Sequence, residues 1–531
     1  GTDARSAPAT AGHGVGEDGS TAAGRPWLVA AGLIGVWLVY VWYSSRATGI
    51  YNDDDLGHYF MARDAWHAPR LFLNVWGRPL FTLLYALPAR WGFDAVQLTT
   101  TVVTVLGALV TGRAALRLGL RGGLAAGLQA TMPFVLLLST ASLTEPLCAL
   151  VLALALAARA AGRERRFALW ASLVPLARLE LTVLVVAWAL LLVRRRRWLD
   201  AALTGTGLAV WALAAALAHG EPLWLWRQVV TGESNLYGTT PLWHYPQGLV
   251  YVVGPVVFLF LLVDLVVRRD RRGRARGLDW ITGSALGALL LYMVLAWRVS
   301  FGHSAGFLRH LVAVSPLFAL MAARGLEVTF ARVAAGDRRP LRILAGGVVL
   351  IGLFLSRGLV MHHRAVGPFE VTRLAAGLII LGLVGLAASR GGARRLALRH
   401  GPLACVLLAL VYGLAAEPPL RASAEQLAVR RCFDWYLASR WRQAPVVATH
   451  PWLEFHLDAV GRRPPGGSPP VGRRSVEAAP PESVIFWDSH YSLRADDRMT
   501  LADFKFDPRF EMRFESITPD SLFVMYALVK H

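Results

Sequence analysis

The stretch that decides the fold is Gly49-Ile50-Tyr51-Asn52-Asp53-Asp54-Asp55-Leu56-Gly57-His58-Tyr59-Phe60-Met61-Ala62-Arg63, which follows directly on an apolar run over 26–44. A hydrocarbon core about 30 Å thick needs ~20 apolar residues per helix, so 26–44 reads as a first membrane span with the acidic stretch at its exit. Three adjacent carboxylates at a membrane interface repel one another, and a cation, an arginine partner or a substrate proton must offset that repulsion. The plainest reading is a solvated acidic turn capping a helix that starts near Leu56, because Asp is a good N-cap. The neighbours argue for more. His58 lies one turn on from Asp54, Tyr59, Arg63 and Trp66 continue the amphipathic stretch, and Trp76-Gly77-Arg78-Pro79-Leu80 turns into a second interfacial helix. The loop 45–93 thus reads as two amphipathic helices lying on the outer leaflet as the floor of a site.

Working outward, apolar runs recur at 94–112, 122–139, 143–160, 167–178, 180–193, 198–218, 246–267, 279–297, 308–325, 341–358, 373–389 and 402–416, about 13 transmembrane helices in all. Hydrophobic residues make up 55% of the 531, charged residues only 17%, and the mean hydropathy is +0.45. Soluble chains sit nearer 45–50% apolar and about 25% charged, so a soluble enzyme, a disordered scaffold and a coiled coil are excluded. The net charge of +20 is not a nucleic-acid signature. All basic residues except Lys505 and Lys530 are arginines, and they crowd into short loops: Arg113 to Arg121, Arg163 to Arg166, Arg194 to Arg197, Arg268 to Arg276, Arg338 to Arg342 and Arg390 to Arg399. Basic residues collect in cytoplasmic loops, and these six fall on one side only if 167–193 crosses twice. The loop 45–93, with five arginines of its own, departs from that rule.

Residues 1–25 read as a disordered cytoplasmic leader, 26–416 as the transmembrane catalytic domain and 417–531 as a small α/β extracytoplasmic domain. The last carries fifteen basic against fifteen acidic residues. Its β-type runs are Val446–Thr449, Ser483–Trp487 and Phe523–Tyr526, with the proline-rich stretch Arg462–Pro481 as a loop. Cys148, Cys405 and Cys432 are too few and too far apart for a disulfide framework or a zinc site.

Other polar groups gather at the same ends of the spans as the acidic run. Ser142-Leu143-Thr144-Glu145-Pro146 puts a carboxylate at a helix start, and Arg178-Leu179-Glu180 falls in the turn between two short spans. His303-Ser304-Ala305-Gly306-Phe307-Leu308-Arg309-His310 opens an apolar helix with a cationic cluster. Each has a structural reading, as a cap, a local ion pair or a snorkelling anchor, but ionisable groups at membrane depth usually line a cavity. Acids that take a proton, facing cations that hold an anionic leaving group, suit transfer of a group from a phosphate-bearing lipid to a hydroxyl. A positioned carboxylate supplies ~10²–10⁴-fold as a base, and the arginine fork matches phosphate oxygens.

In these features the sequence resembles the GT-C integral membrane glycosyltransferases, which use polyprenyl- or dolichyl-phosphate sugars, and among them the relatives of protein O-mannosyltransferases and GPI-anchor mannosyltransferases. Asp54-Asp55 is similar to their acidic pair, with His58-Tyr59 following. Arg178-Leu179-Glu180 is similar to an Arg-Pro-Glu-like motif with Leu for Pro. His303 to His310 matches their late cationic segment only in part, lacking its Lys-Glu pair. His450-Pro451-Trp452 and Trp487-Asp488-Ser489-His490-Tyr491 are similar to outer-domain segments. The resemblance implies an inverting glycosyltransferase in a bacterial inner membrane, the N-terminus cytoplasmic. Asp54 or Asp55 is then the base, and Arg309, His310 and His303 hold the donor phosphate, while His58, Arg78, Glu145, Arg178 and Glu180 orient donor or loop. It further implies a mannose-like sugar, a polyprenyl-phosphate sugar donor, a hydroxyl acceptor and the lipid bilayer as partners, and no nucleic acid. A divalent metal on the aspartates is left open. A lipid-linked-sugar flippase or transporter, and a non-catalytic membrane assembly subunit, are the competing readings.

Overall fold

A computed structural model of the chain describes residues 26–230, 239–267, 279–298, 306–356, 360–361, 364–365, 375–379, 382, 385, 390–494 and 497–531. The leader read over 1–25 and much of the run 373–389 lie outside the described residues. The first helix, α1 (Pro26–Arg46), leads into α2 (Asp53–Asp64), which carries the acidic stretch, and then α3 (Pro79–Tyr85). The bundle continues with α4 (Phe93–Arg117), α5 (Gly122–Ala130), α6 (Pro133–Leu138), α7 (Thr144–Ala160), α8 (Glu164–Ala177), α9 (Thr182–Arg194), α10 (Trp198–Leu203), α11 (Thr206–His219) and α12 (Trp224–Val230). After α13 (His244–Val267) and α14 (Asp279–Arg298), a 3₁₀ turn at Leu308–Val314 runs straight into α15 (Ser315–Ala334), followed by α16 (Arg339–Ser356) and α17 (Gly391–Ala416).

Five of the described helical segments are long and apolar enough to cross a membrane: Phe93–Arg117, His244–Val267, Trp280–Trp297, Leu308–Ala334 and Gly391–Ala416. Other apolar runs are interrupted. The run 122–139 breaks at Met132-Pro133, where proline has no N–H to continue a ladder, and 198–218 breaks between α10 and α11. The run 167–193 is two helices hinged at Arg178. Arg197, just past the end of α9, lies 4.0 Å from Glu164 at the start of α8, so the second helix returns alongside the first.

Helix α13 bends at Gly254, whose φ of +79° no side chain-bearing residue adopts readily, immediately before Pro255. Packing is tight where α13 meets α15: a Cβ on Gly325 would stand 2.0 Å from the carbonyl oxygen of Phe260. The main core is nearly all Leu, Val, Ala and Phe and runs through α4, α7, α8, α13 and α15.

The three β-type runs are strands β1 (Val446–Ala448), β2 (Val484–Asp488) and β4 (Val524–Lys530), joined by β3 (Phe510–Ile517) in one sheet of order β1-β2-β4-β3. β1 pairs parallel to β2 and the rest antiparallel. Helices α18 (Ala424–Ala438), capped by a Ser423/Gln426 box, and α19 (Pro451–Ala459) pack with it. Side chains alternate across a strand. Val484 and Phe486 accordingly join the main core while Ile485 and Trp487 join a separate cluster with Val471, Val476 and Phe504.

Candidate active site

The site is assembled at one end of the bundle. Asn52 caps α2 by accepting the N–H of Asp55, so the acidic run forms the first turn, where unpaired N–H groups and the helix dipole favour negative charge. One turn holds three consecutive aspartates, so they point in three directions. Asp53 turns toward the C-terminal sheet and accepts from Trp452 Nε1 at 2.8 Å and from the Tyr491 hydroxyl. Asp54 pairs with Arg309 and takes a further bond from Asn52 Nδ2 at 3.3 Å. Asp55 points into the bundle and accepts the N–H groups of Ser142 and Tyr51.

From Asp54 a line of alternating charge leads inward. Arg309 Nε is 3.4 Å from Glu145 Oε1, Glu145 Oε1 is 2.9 Å from Arg178 Nη1, Arg178 Nη2 is 2.5 Å from Glu180, and Glu180 is 3.8 Å from Arg78. Thr144 takes a further bond from Arg178 at 3.3 Å. Glu145 is 1% exposed and Arg309 5%. Buried charges are stable only when paired and hydrogen-bonded, and this line pairs three carboxylates with three guanidiniums. Its two ends are less complete. Arg309 Nη1 is buried without a hydrogen-bond partner among the described residues. Arg78 is held in a positive-φ backbone, φ +58°, which side chains rarely adopt and which recurs at functional sites.

His58 stacks on Trp76, ring centroids 4.6 Å apart, and leans on Phe81. That stacking depends on Gly57, because a Cβ there would stand 2.2 Å from the Trp76 ring. Arg309 lies over the rings of Phe307 and Tyr51, and His310 sits beside it with Nδ1 3.5 Å from the Tyr245 hydroxyl. His303 lies outside the described residues.

Electrostatics separate the two candidate bases. Burial pushes Asp54 up, but the Arg309 guanidinium, with His58 and Asn52, outweighs it and holds the carboxyl below its ordinary range. For Asp55 burial wins over the Ser142 and Tyr51 N–H groups and pushes the carboxyl up to about 7. Burial drives His58 down to about 3, helped by Arg309, Arg78 and Arg178 and opposed by Asp54, so its ring is neutral. The side chain of Asp54 is 33% exposed, whereas Asp55 is 1% exposed.

The sequence therefore named Asp54, Arg309, Glu145, Arg178, Glu180 and Arg78, and these six lie in one connected line. It did not find the partners of Asp53. Nor did it find the ties Tyr59 and Arg63 to Asp458, and Arg463 to Asp64 at 2.9 and 2.8 Å, that fasten the far turns of α2. Those contacts join residues about 400 apart, and no local period or spacing signals them.

Each aspartate of the run already holds donors, so a cation there would have to displace Arg309, Ser142 N–H or Tyr491. Among the described residues one other cluster has the right atoms: Glu425, His450 and His490. His450 Nδ1 accepts the N–H of Trp452 at 3.2 Å, which places the ring proton on Nε2, the atom facing Glu425. A protonated nitrogen is not a ligand, so neither set fits a metal as it stands.

No protein-family profile and no curated protein matches the chain. Among solved structures, the chain is similar to ArnT from Cupriavidus metallidurans bound to undecaprenyl phosphate, at 13% identity and a TM-score of 0.57, covering 95% of this chain and 98% of that one. The apo form of the same protein gives 14% identity, the same TM-score and coverage of 94% and 98%. The likeness covers nearly all of both chains, and the chain has the fold of ArnT.

Proposed function

We propose that the protein is an inverting glycosyltransferase that moves a sugar from a polyprenyl monophosphate carrier to a hydroxyl acceptor on the outer face of a bacterial inner membrane. In this reading the chain crosses about thirteen times, with its N-terminus cytoplasmic and the sheet outside. The sugar is mannose-like by the sequence resemblance, and the carrier is supported by the undecaprenyl phosphate bound to ArnT. The observation that carries the reading is the contact of Asp54 with Arg309, a carboxylate and a guanidinium 255 residues apart, at the accessible end of a buried charge line.

Asp54 is the base. At rest its charge is held by Arg309. A donor phosphate entering the site takes over the Arg309 fork, using the unpartnered Nη1, with Arg78 as second cation and His310 alongside. Asp54 then loses the partner that holds its pKa down, and its affinity for a proton rises as the donor binds. The acceptor oxygen attacks the anomeric carbon while Asp54 takes its proton. The bond from that carbon to the phosphate oxygen breaks, and the departing phosphate keeps the electron pair against Arg309 and Arg78. Inversion follows from attack opposite the leaving group. Glu145, Arg178 and Glu180 hold the two cations in place. Asp55, buried and bonded to backbone N–H groups, fixes α2 against the loop at Ser142. In this reading Arg309 and Arg78 meet the charge of the departing phosphate, so no step calls on a metal.

The test supplies labelled polyprenyl-phosphate sugars to the purified protein in nanodiscs, with and without EDTA, and reads glycosidic product and free carrier. Transfer or hydrolysis that survives EDTA and is lost in Asp54→Asn supports the reading. Full turnover by Asp54→Asn overturns Asp54 as base, and movement of label without a glycosidic product turns the protein into a transporter.

A further inference from the structure

The first aspartate of the run has no place in the chemistry above, yet it is gripped by two side chains from the far end of the sequence. Trp452 and Tyr491 both donate to Asp53, and they come from different loops of the sheet. Trp452 stands in the first turn of α19, whose N-cap is His450. Tyr491 stands in the turn after β2, where Asp488 Oδ1 accepts the N–H groups of both His490 and Tyr491 at 2.9 and 2.5 Å. Nothing in either loop alone fixes the distance between the two donors. Glu425 does so. Its Oε1 accepts from His450 Nε2 at 3.0 Å and from His490 Nδ1 at 2.7 Å, joining the loop that carries Trp452 to the loop that carries Tyr491. His450 is fully buried, and its tautomer is set by the Trp452 N–H on the opposite nitrogen, so the ring can serve Glu425 only as a donor.

We propose that Glu425 is a positioning residue for the acidic run: through His450 and His490 it holds Trp452 and Tyr491 in a clamp that keeps the Asp53 carboxylate turned away from Arg309. This rests on the reading of Asp54 as base. The physical need is plain. Asp53 and Asp54 are neighbours in one helical turn, both negative, with one guanidinium close by. A freed Asp53 competes with Asp54 for that guanidinium and for the incoming phosphate's place on it. Two neutral donors satisfy Asp53 without adding positive charge, so they remove the competitor and leave the cation to Asp54 and the donor.

The experiment compares Glu425→Ala, Glu425→Gln and wild type in nanodiscs by steady-state transfer and by hydrogen–deuterium exchange. Glutamine keeps an oxygen that accepts both histidine N–H groups; alanine keeps none. Glu425→Ala is expected to lose about tenfold in kcat, the scale of one or two hydrogen bonds, with KM for the acceptor changed by less than about twofold, and Glu425→Gln to restore most of it. Exchange is expected to rise in Glu425→Ala within 449–455, 487–493 and 53–60 together. Equal losses in both variants, or faster exchange confined to α18, overturn the clamp. A stoichiometric divalent ion in wild type that is absent from Glu425→Ala also overturns it, in favour of a metal centre. The exchange readout needs no turnover: if wild type is inactive on every sugar phosphate while the three segments still loosen together, the clamp stands and the proposed reaction falls.

Discussion

Two aspartate–arginine pairs lie on the segment Leu308–Ala334, one in its opening 3₁₀ turn and one in the middle of α15, and they are finished to different degrees. In the middle of α15 Arg324 meets both oxygens of Asp264 through Nε and Nη2, and Nη2 reaches Thr282 at 3.1 Å. Both side chains are under 10% exposed. In the opening turn Arg309 holds one oxygen of a carboxylate that is one-third exposed, and its Nη1 has no hydrogen bond among the described residues. A buried pair in which both carboxylate oxygens have donors behaves as part of the packing. A buried cation with donor capacity to spare is poised to take an anion, because leaving it unmet costs more than meeting it. The same two residue types thus serve as a fastener in the middle of the helix and, in the proposed reaction, as a site at its start.

Four experiments break or sharpen that contrast. Asp54→Asn is expected to lower transfer by roughly 10²–10⁴-fold while the thermal midpoint in detergent moves little; a large loss of stability with transfer retained would reverse the assignment. Arg324→Met is expected to do the opposite, destabilising by roughly 3–5 kcal/mol because a buried carboxylate loses the cation that meets both its oxygens. The double change Asp264→Leu/Arg324→Met should recover most of that loss in the same thermal assay, with kcat intact throughout. Gly57→Ala forces Trp76 off its seat and should cost roughly 1–3 kcal/mol as an overpacking change. Loss of the Trp76–His58 stack without loss of donor binding, measured by calorimetry with polyprenyl phosphate, would place that stack outside the donor site.

The last effect is read in pH. Asp55 has a folded pKa of about 7 against an ordinary 3.8, so the folded state binds the proton more tightly than the unfolded one. By linkage, the stability it contributes is present below about pH 4 and is lost as pH rises through 7. Asp55→Asn should flatten that slope in pH-dependent melting. The same variant separates the two carboxylates kinetically. If Asp54 is the base, the acid limb of kcat/KM lies well below 7 and stays there in Asp55→Asn. An acid limb near 7 that disappears with Asp55 would hand the role to Asp55.

Much of the site was legible because its chemistry is dense in short segments. The triplet Asp53 to Asp55, the Arg178/Glu180 turn and Arg309 each stand out against apolar surroundings, and a membrane penalises charge that has no use. The assembly of the line was also implied, since helices that run back and forth bring their like ends together. Arg159 and Arg332 accordingly stand in the last turns of α7 and α15, at the opposite ends from Glu145 and Arg309. What could not be read is where each aspartate of one turn points. Rotation about a helix is set by partners such as Ser142 N–H, Trp452 and Tyr491, and none of those announces its target in sequence. The break near Arg178 was read from its polar residues, whereas 122–139 was read as one span although Pro133 stands where it breaks. The interruption between α10 and α11 was not, because Thr204-Gly205-Thr206 sits inside an apolar run of ordinary appearance.

The alternation along β2 has a practical corollary for anyone wishing to handle the sheet alone. Val484, Phe486, Met525, Ala527 and Val529 face the main core, and Ile485 and Trp487 face the other way. Expressing 417–531 as an isolated fragment would keep α18 over the first of these sides, where Tyr436 meets Phe486 and Cys432 meets Met525, but would leave α2 behind with Asp64, the ion-pair mate of Arg463. Such a fragment should keep its sheet and lose what α2 supplies, the carboxylates of Asp53 and Asp64 that Trp452, Tyr491 and Arg463 hold.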